Sequence, residues 1–133
     1  QTIRPEAVAG AGADSVRWSN MQPAEPNLGG QLVFLVYART ISYGESFMGI
    51  VSHYGLGLLV GGPTAGANGN VNPFTLPGGH QVLWTGMRVR KQDGRVHHAV
   101  GIAPDVSVRR TREAVRAGRD EILEAGIRLA AGE

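Results

Sequence analysis

Read for its apolar and polar positions, the chain changes character at Gly30. Residues 1–30 are rich in Ala, Gly, Pro and Asn, with few large side chains, Trp18 and Met21 among them. Such a stretch cannot build a core of its own and is expected to lie as an extended N-terminal arm. From Gln31 to Tyr37 the positions are almost continuously apolar and rich in β-formers, over a length too short for an ordinary helix. This pattern predicts a central parallel strand buried on both faces. The period then changes. Ser42 and Glu45 form the capping pattern Ser-x-x-Glu, and Phe47, Ile50, Val51 and Tyr54 follow at helical spacing, so a helix is predicted over 43–54 with Gly55 ending it. His53 falls on the opposite, solvent side of that helix.

Leu56 to Val60 reads as the next short strand, and 61–72 as a loop dense in Gly, Asn, Pro and Thr. Gln81–Thr85 and Met87–Lys91 read as two strands around Gly86. Asp93-Gly94 marks a turn before a further apolar stretch, Val96–Ile102, and Pro104-Asp105 leads into Val106–Val108. Thr111 is placed to cap one final helix reaching about Ala130, with Val115, Ile122, Ala125 and Leu129 on one face and Arg116/Asp120 and Glu124/Arg128 spaced for ion pairs. The fold class expected is α/β.

Composition narrows the chemistry. A chain of 133 residues is long enough for a real core without disulfides. Cysteine is absent, which removes thiol catalysis and thiolate metal sites. The formal net charge of +2 comes with acids interleaved among the arginines around Arg109–Arg119 rather than as a basic stripe, so nucleic acid is not an expected partner. No apolar run is long enough for a transmembrane helix, and any targeting segment is expected upstream of Gln1. The polar loop carrying Thr64, Gly66, Asn68 and Asn70 lacks the Gly-Lys-Ser/Thr ending of a phosphate cradle, so nucleotide binding is not expected.

Ser42 is the residue with most chemistry in prospect. A hydroxyl on a strand-to-helix turn suits a nucleophile, because the turn exposes Oγ and the helix N-terminus offers N–H groups to developing negative charge. The local pattern also suits a plain N-cap, with Glu45 as its reciprocal partner, a catalytic positioning role being the alternative for Glu45. Of the histidines His53, His80, His97 and His98, the adjacent pair His97-His98 would point to opposite faces of a strand and could not chelate one metal together. No metal site is expected.

The order of a buried strand, Thr40-x-Ser42-x-x-Glu45, a helix, Val60-Gly61-Gly62-Pro63-Thr64-Ala65-Gly66, Phe74-x-Leu76-Pro77-x-Gly79, and Asp93-Gly94 followed by Gly101-Ile102-Ala103-Pro104-Asp105 resembles the C-terminal processing peptidases. These are also called tail-specific proteases and include the tricorn-type core peptidases. The resemblance implies a crotonase-like α/β core of the kind shared by ClpP and the crotonases, with a mixed sheet, a short helix after the nucleophile turn and a C-terminal helix. Residues 31–133 would be the C-terminal part of the catalytic domain. It further implies a serine peptidase in which Ser42 is the nucleophile and the Tyr43 N–H one donor of the oxyanion hole. Thr64, Gly66 and Asn68 would line the peptide groove. His98 is a candidate because it precedes the Gly-Ile-x-Pro-Asp motif, where tricorn-like relatives carry an acidic residue orienting the base, and His97 ranks behind it. A peptide or protein is the substrate class implied, no cofactor is called for, a homo-oligomer is compatible, and an extracytoplasmic address is favoured over a cytoplasmic one.

The sequence departs from the family pattern in two places. The segment that supplies the second oxyanion donor ahead of the nucleophile strand has no counterpart here. Where many relatives carry the lysine of a Ser/Lys dyad, this chain has Ala67, and its sole lysine is Lys91. The implied base is therefore a histidine from an upstream part, and these 133 residues alone are expected to be nearly inactive. A noncatalytic peptide- or protein-binding module on a peptidase core is the alternative, discriminated by whether a fluorophosphonate labels the serine. An acyl-CoA enzyme of the crotonase group would share the fold, but no substrate-binding element of that group is visible.

Overall fold

A computed structural model describes residues 29–133, so the arm expected over 1–30 lies almost wholly outside the described residues. Within Gln31–Glu133 the chain forms β1 (Val33–Val36), α1 (Tyr43–Tyr54), β2 (Leu58–Gly61), β3 (Val71–Thr75), β4 (Gln81–Thr85), β5 (Val106–Ser107), α2 (Arg112–Arg116) and α3 (Glu121–Ala131). The strands make a parallel sheet in the order β1-β2-β5 and a separate antiparallel pair, β3-β4. It is a mixed α/β structure.

The apolar run does become a parallel strand, and α1 is the crossover that a parallel β1–β2 connection demands. Alternation divides its side chains between two layers. Val36 packs with Met48 and Val51 of α1 and with Leu59 and Ile102, and Phe34 lies against the same cluster. Val33 and Leu35 face α3, where Gly126 allows close approach: a Cβ there would stand 2.7 Å from Leu35 Cδ2. Helices thus cover both faces of β1. Among the described residues, however, β1 is an edge strand and β2 is the central one, and Leu35 keeps substantial exposure.

α1 begins and ends where its spacing predicts, but its buried face is different. Glu45, Met48, Gly49 and Val51 are buried, whereas Phe47 and Tyr54 are exposed. The sheet meets the Met48–Val51 side because β1 and β2 approach there, and Phe47 is left to an edge-on contact with Phe34. His53 is exposed as expected.

Further differences are local in origin. β4 pairs with β3 and not with 87–91, because the Leu76–His80 turn closes a hairpin in which the Leu76 N–H donates to the His80 carbonyl. Of 87–91 only Arg90 bridges to Val96, around the turn at Asp93-Gly94. No strand forms over Val96–Ile102. The chain instead turns tightly, with the His97 carbonyl accepting from both Val100 and Gly101. The single C-terminal helix is interrupted: Thr111 caps α2 through its hydroxyl, and Asp120 caps α3 by accepting from Ile122 and Leu123. Arg110 and not Arg116 pairs with Asp120, and Arg119 takes Glu124. No helix among the described residues is long and apolar enough to cross a membrane.

Candidate active site

β1 delivers the chain to a turn whose product is an exposed serine. Ser42 has φ 52° and ψ −122°, a positive φ rare for a residue with a side chain. Such a backbone costs on the order of 1–3 kcal/mol and persists only where its surroundings hold it. The hold is visible: the Ser42 N–H donates to the Ala67 carbonyl at 2.9 Å, and the Ala65 N–H donates to the Thr40 carbonyl at 3.1 Å. The Ser42 carbonyl accepts from Glu45 and Ser46 as the first turn of α1 closes.

The capping box expected from Ser-x-x-Glu is not formed. The Ser42 side chain makes no capping hydrogen bond, and Glu45 turns inward, 1% exposed. Glu45 Oε1 accepts from the Thr64 hydroxyl at 2.5 Å and from the Gly66 N–H at 2.7 Å. Oε2 lies 3.2 Å from His97 Nε2, close but out of line for a well-formed hydrogen bond. Burial alone would raise the Glu45 pKa, but the Thr64 hydroxyl, the Gly66 N–H and His97 together outweigh it and hold the carboxyl below its ordinary value of 4.5. Glu45 is anionic at neutral pH.

The segment 64–68 alternates buried and exposed positions like a strand, with Thr64, Gly66 and Asn68 inward and Ala65 and Ala67 outward. Thr64 Oγ1 also accepts from the Ile102 N–H at 2.8 Å, and Asn68 Nδ2 donates to Ser46 Oγ at 2.9 Å. The polar groups of Thr64, Gly66 and Asn68, expected to face a peptide, are thus engaged with the protein itself. Two glycines permit this closeness. A Cβ on Gly66, at φ 68°, would stand 2.7 Å from the Val100 N, and one on Gly101, at φ 66°, would stand 2.6 Å from Thr64 Oγ1.

Of the neighbouring histidines, His97 is the one brought into this cluster, 3% exposed, while His98 is exposed. Opposite directions for adjacent side chains were expected from strand geometry; here a turn produces them. What the sequence reading does not give is the burial of Glu45 and its pairing with His97, because the amphipathic pattern places Phe47 and Ile50 at the core. The spacing Glu45, Met48, Val51 was an available signal, since it sets a carboxylate on the face that carries core residues. Tyr43 opens α1 with its ring exposed. Among the described residues no group of three or more His, Cys, Asp or Glu is arranged to hold a metal ion.

The sequence model of peptidase family S41 matches residues 6–108, most of the chain, and the chain belongs to that family. The resemblance to the C-terminal processing peptidases is thereby upheld. A solved structure of a Parabacteroides merdae protein assigned as a peptidase is similar at 25% identity and a TM-score of 0.65, over 89% of this chain and 34% of its own. The photosystem II D1 C-terminal processing protease is similar at 29% identity and a TM-score of 0.52, over 59% of this chain and 20% of its own. Tricorn protease shares the fold at 21% identity and a TM-score of 0.63, over 75% of this chain and 10% of its own. The chain therefore spans about a third or less of the length of each of these structures. No curated protein sequence matches it.

Proposed function

We propose that this chain is the nucleophile-bearing part of a serine peptidase with a crotonase-like core, tricorn-like in having no lysine at position 67. The observation that carries the reading is the exposed Ser42, held at positive φ where β1 turns into α1. Strain of this kind concentrates at reactive groups, and it supports a nucleophile where a simple cap would have no need of it.

In the proposed reaction Ser42 Oγ attacks the carbonyl carbon of a peptide bond while its proton passes to a histidine supplied from outside these residues. The Tyr43 N–H, with a second donor also from outside, stabilises the tetrahedral oxyanion. Collapse breaks the C–N bond, the departing amine takes the proton from the histidine, and water then hydrolyses the acyl-serine by the same steps. A missing oxyanion donor costs about 3 kcal/mol and a missing base more, so the isolated chain is expected to turn over peptides hardly at all. In this reading Thr64, Gly66 and Asn68 would support the peptide site from within the fold, and the exposed His98 would be a further contributor.

A fluorophosphonate probe on the natural protein that contains these residues tests the reading. Labelling that disappears in Ser42→Ala supports it. Absence of labelling favours the second reading, a noncatalytic peptide-binding module, which draws its support from Ala67 standing where many relatives carry the lysine.

A further inference from the structure

Glu45 lies three positions beyond Ser42 in α1 and belongs to the core beneath it. Three segments distant in sequence converge on its carboxylate: its own helix, the 64–68 segment through Thr64 and Gly66, and the 97–102 turn through His97. The last two are joined again by the Thr64 Oγ1–Ile102 N–H bond and by the Ala99 N–H donating to the Gly66 carbonyl. The outward side of 64–68 is stitched to the serine turn at two points, Ala65 to Thr40 and Ala67 to Ser42. A displacement of Gly66 must therefore displace the carbonyl that holds the Ser42 backbone.

We infer that Glu45 and His97 are a buried positioning pair that sets the Ser42 turn, acting through Thr64, Gly66 and Ala67. The inference rests on the serine-peptidase reading for its functional meaning, though its geometry stands apart from it. Oε2 faces His97 Nε2 at 3.2 Å, and the imidazole ring closes the side of the carboxylate that Thr64 and Gly66 leave open. The conservative replacement follows from the same chemistry. A glutamine at 45 keeps one oxygen to accept from Thr64 and Gly66 and turns an NH₂ toward His97, whose Nε2 can accept it. Alanine at 45 leaves Thr64, Gly66 and His97 without their buried partner.

Amide hydrogen exchange by NMR on the full 133-residue chain, in wild type, Glu45→Ala, His97→Ala and Glu45→Gln, tests the pair. Exchange at Ser42 and Gly66 is expected to rise at least about tenfold in both alanine variants, while Val36 and Val60 in the sheet change less than about twofold. Glu45→Gln should return most of the protection. Should Glu45→Ala fail to fold, His97→Ala decides. The inference is overturned if Ser42 and Gly66 are unaffected, or if every amide loses protection together in both alanine variants, since that would make the pair a general core element. In the natural protein the rate of fluorophosphonate labelling at Ser42 should fall in the same order. If the unaltered protein is not labelled at all, the peptidase reading fails and the exchange pattern still judges the pair.

Discussion

The Glu45–Thr64–His97 cluster and the β3–β4 hairpin invert the usual placement of side chains. In the cluster, a carboxylate, a hydroxyl and an imidazole are buried together. In the hairpin, Val71, Phe74, Leu83 and Trp84 are exposed, Leu83 to 65%. In the cluster every partner of Glu45 comes from a segment remote in sequence: Oε1 accepts from Thr64 and Gly66, and Oε2 faces His97, so a failure there would be felt in three places. The hairpin is made by local pairing around one turn and shares little with the rest. The difference teaches where long-range polar bonding is concentrated: next to the serine, where the hairpin has only local pairing.

The comparison can be broken most sharply by forcing the cluster apart. Gly101→Val would drive a side chain against Thr64 at a positive φ, and a loss on the order of 4 kcal/mol is expected, read by urea denaturation. Next comes Glu45→Ala, which strands buried donors and should destabilise by about 3 kcal/mol in the same measurement. An equal loss from a hairpin substitution would show that the contrast is mistaken.

A pH titration sharpens it. Because the folded pKa of Glu45 is depressed, the unfolded chain binds more protons as the pH falls. The stability this group contributes is therefore full above its unfolded value of 4.5 and is lost as the pH falls through the lower folded value. Denaturation midpoints followed from about pH 6 to about pH 3 should decline more steeply in wild type than in Glu45→Gln. Equal slopes would remove the carboxylate from the account. The smallest effect is expected in the hairpin itself, where Leu83→Ser should change stability by no more than about 0.5 kcal/mol. A larger loss would mean that the exposed face packs against something.

Much of the fold was legible in short-range patterns. The run from Gln31 to Tyr37 reads as a strand and contains β1, and the bounds of α1 follow from its spacing and from Gly55. Ser42 was legible as a turn residue for the same reason. The partners of each element were not. The choice of β3 over 87–91 as the mate of β4 depended on which turn closes, and the break of the last helix depended on Asp120 competing successfully as a second cap.

The clearest case is Glu45. Its place one turn into a helix, three residues after a serine, is a property of the chain, and a capping box satisfies every local rule. Its real partners stand at positions 64, 66 and 97, and no local rule counts groups so far away. Periodicity and turn chemistry act over a few residues, so the sequence alone determined the strand at β1, the turn at Ser42, the bounds of α1 and the family they compose. The hydrogen bonds of a buried charge are decided only when distant segments are packed together, so the tertiary structure alone decided that the carboxylate turns inward, that His97 and not His98 accompanies it, and that the serine is held from beneath.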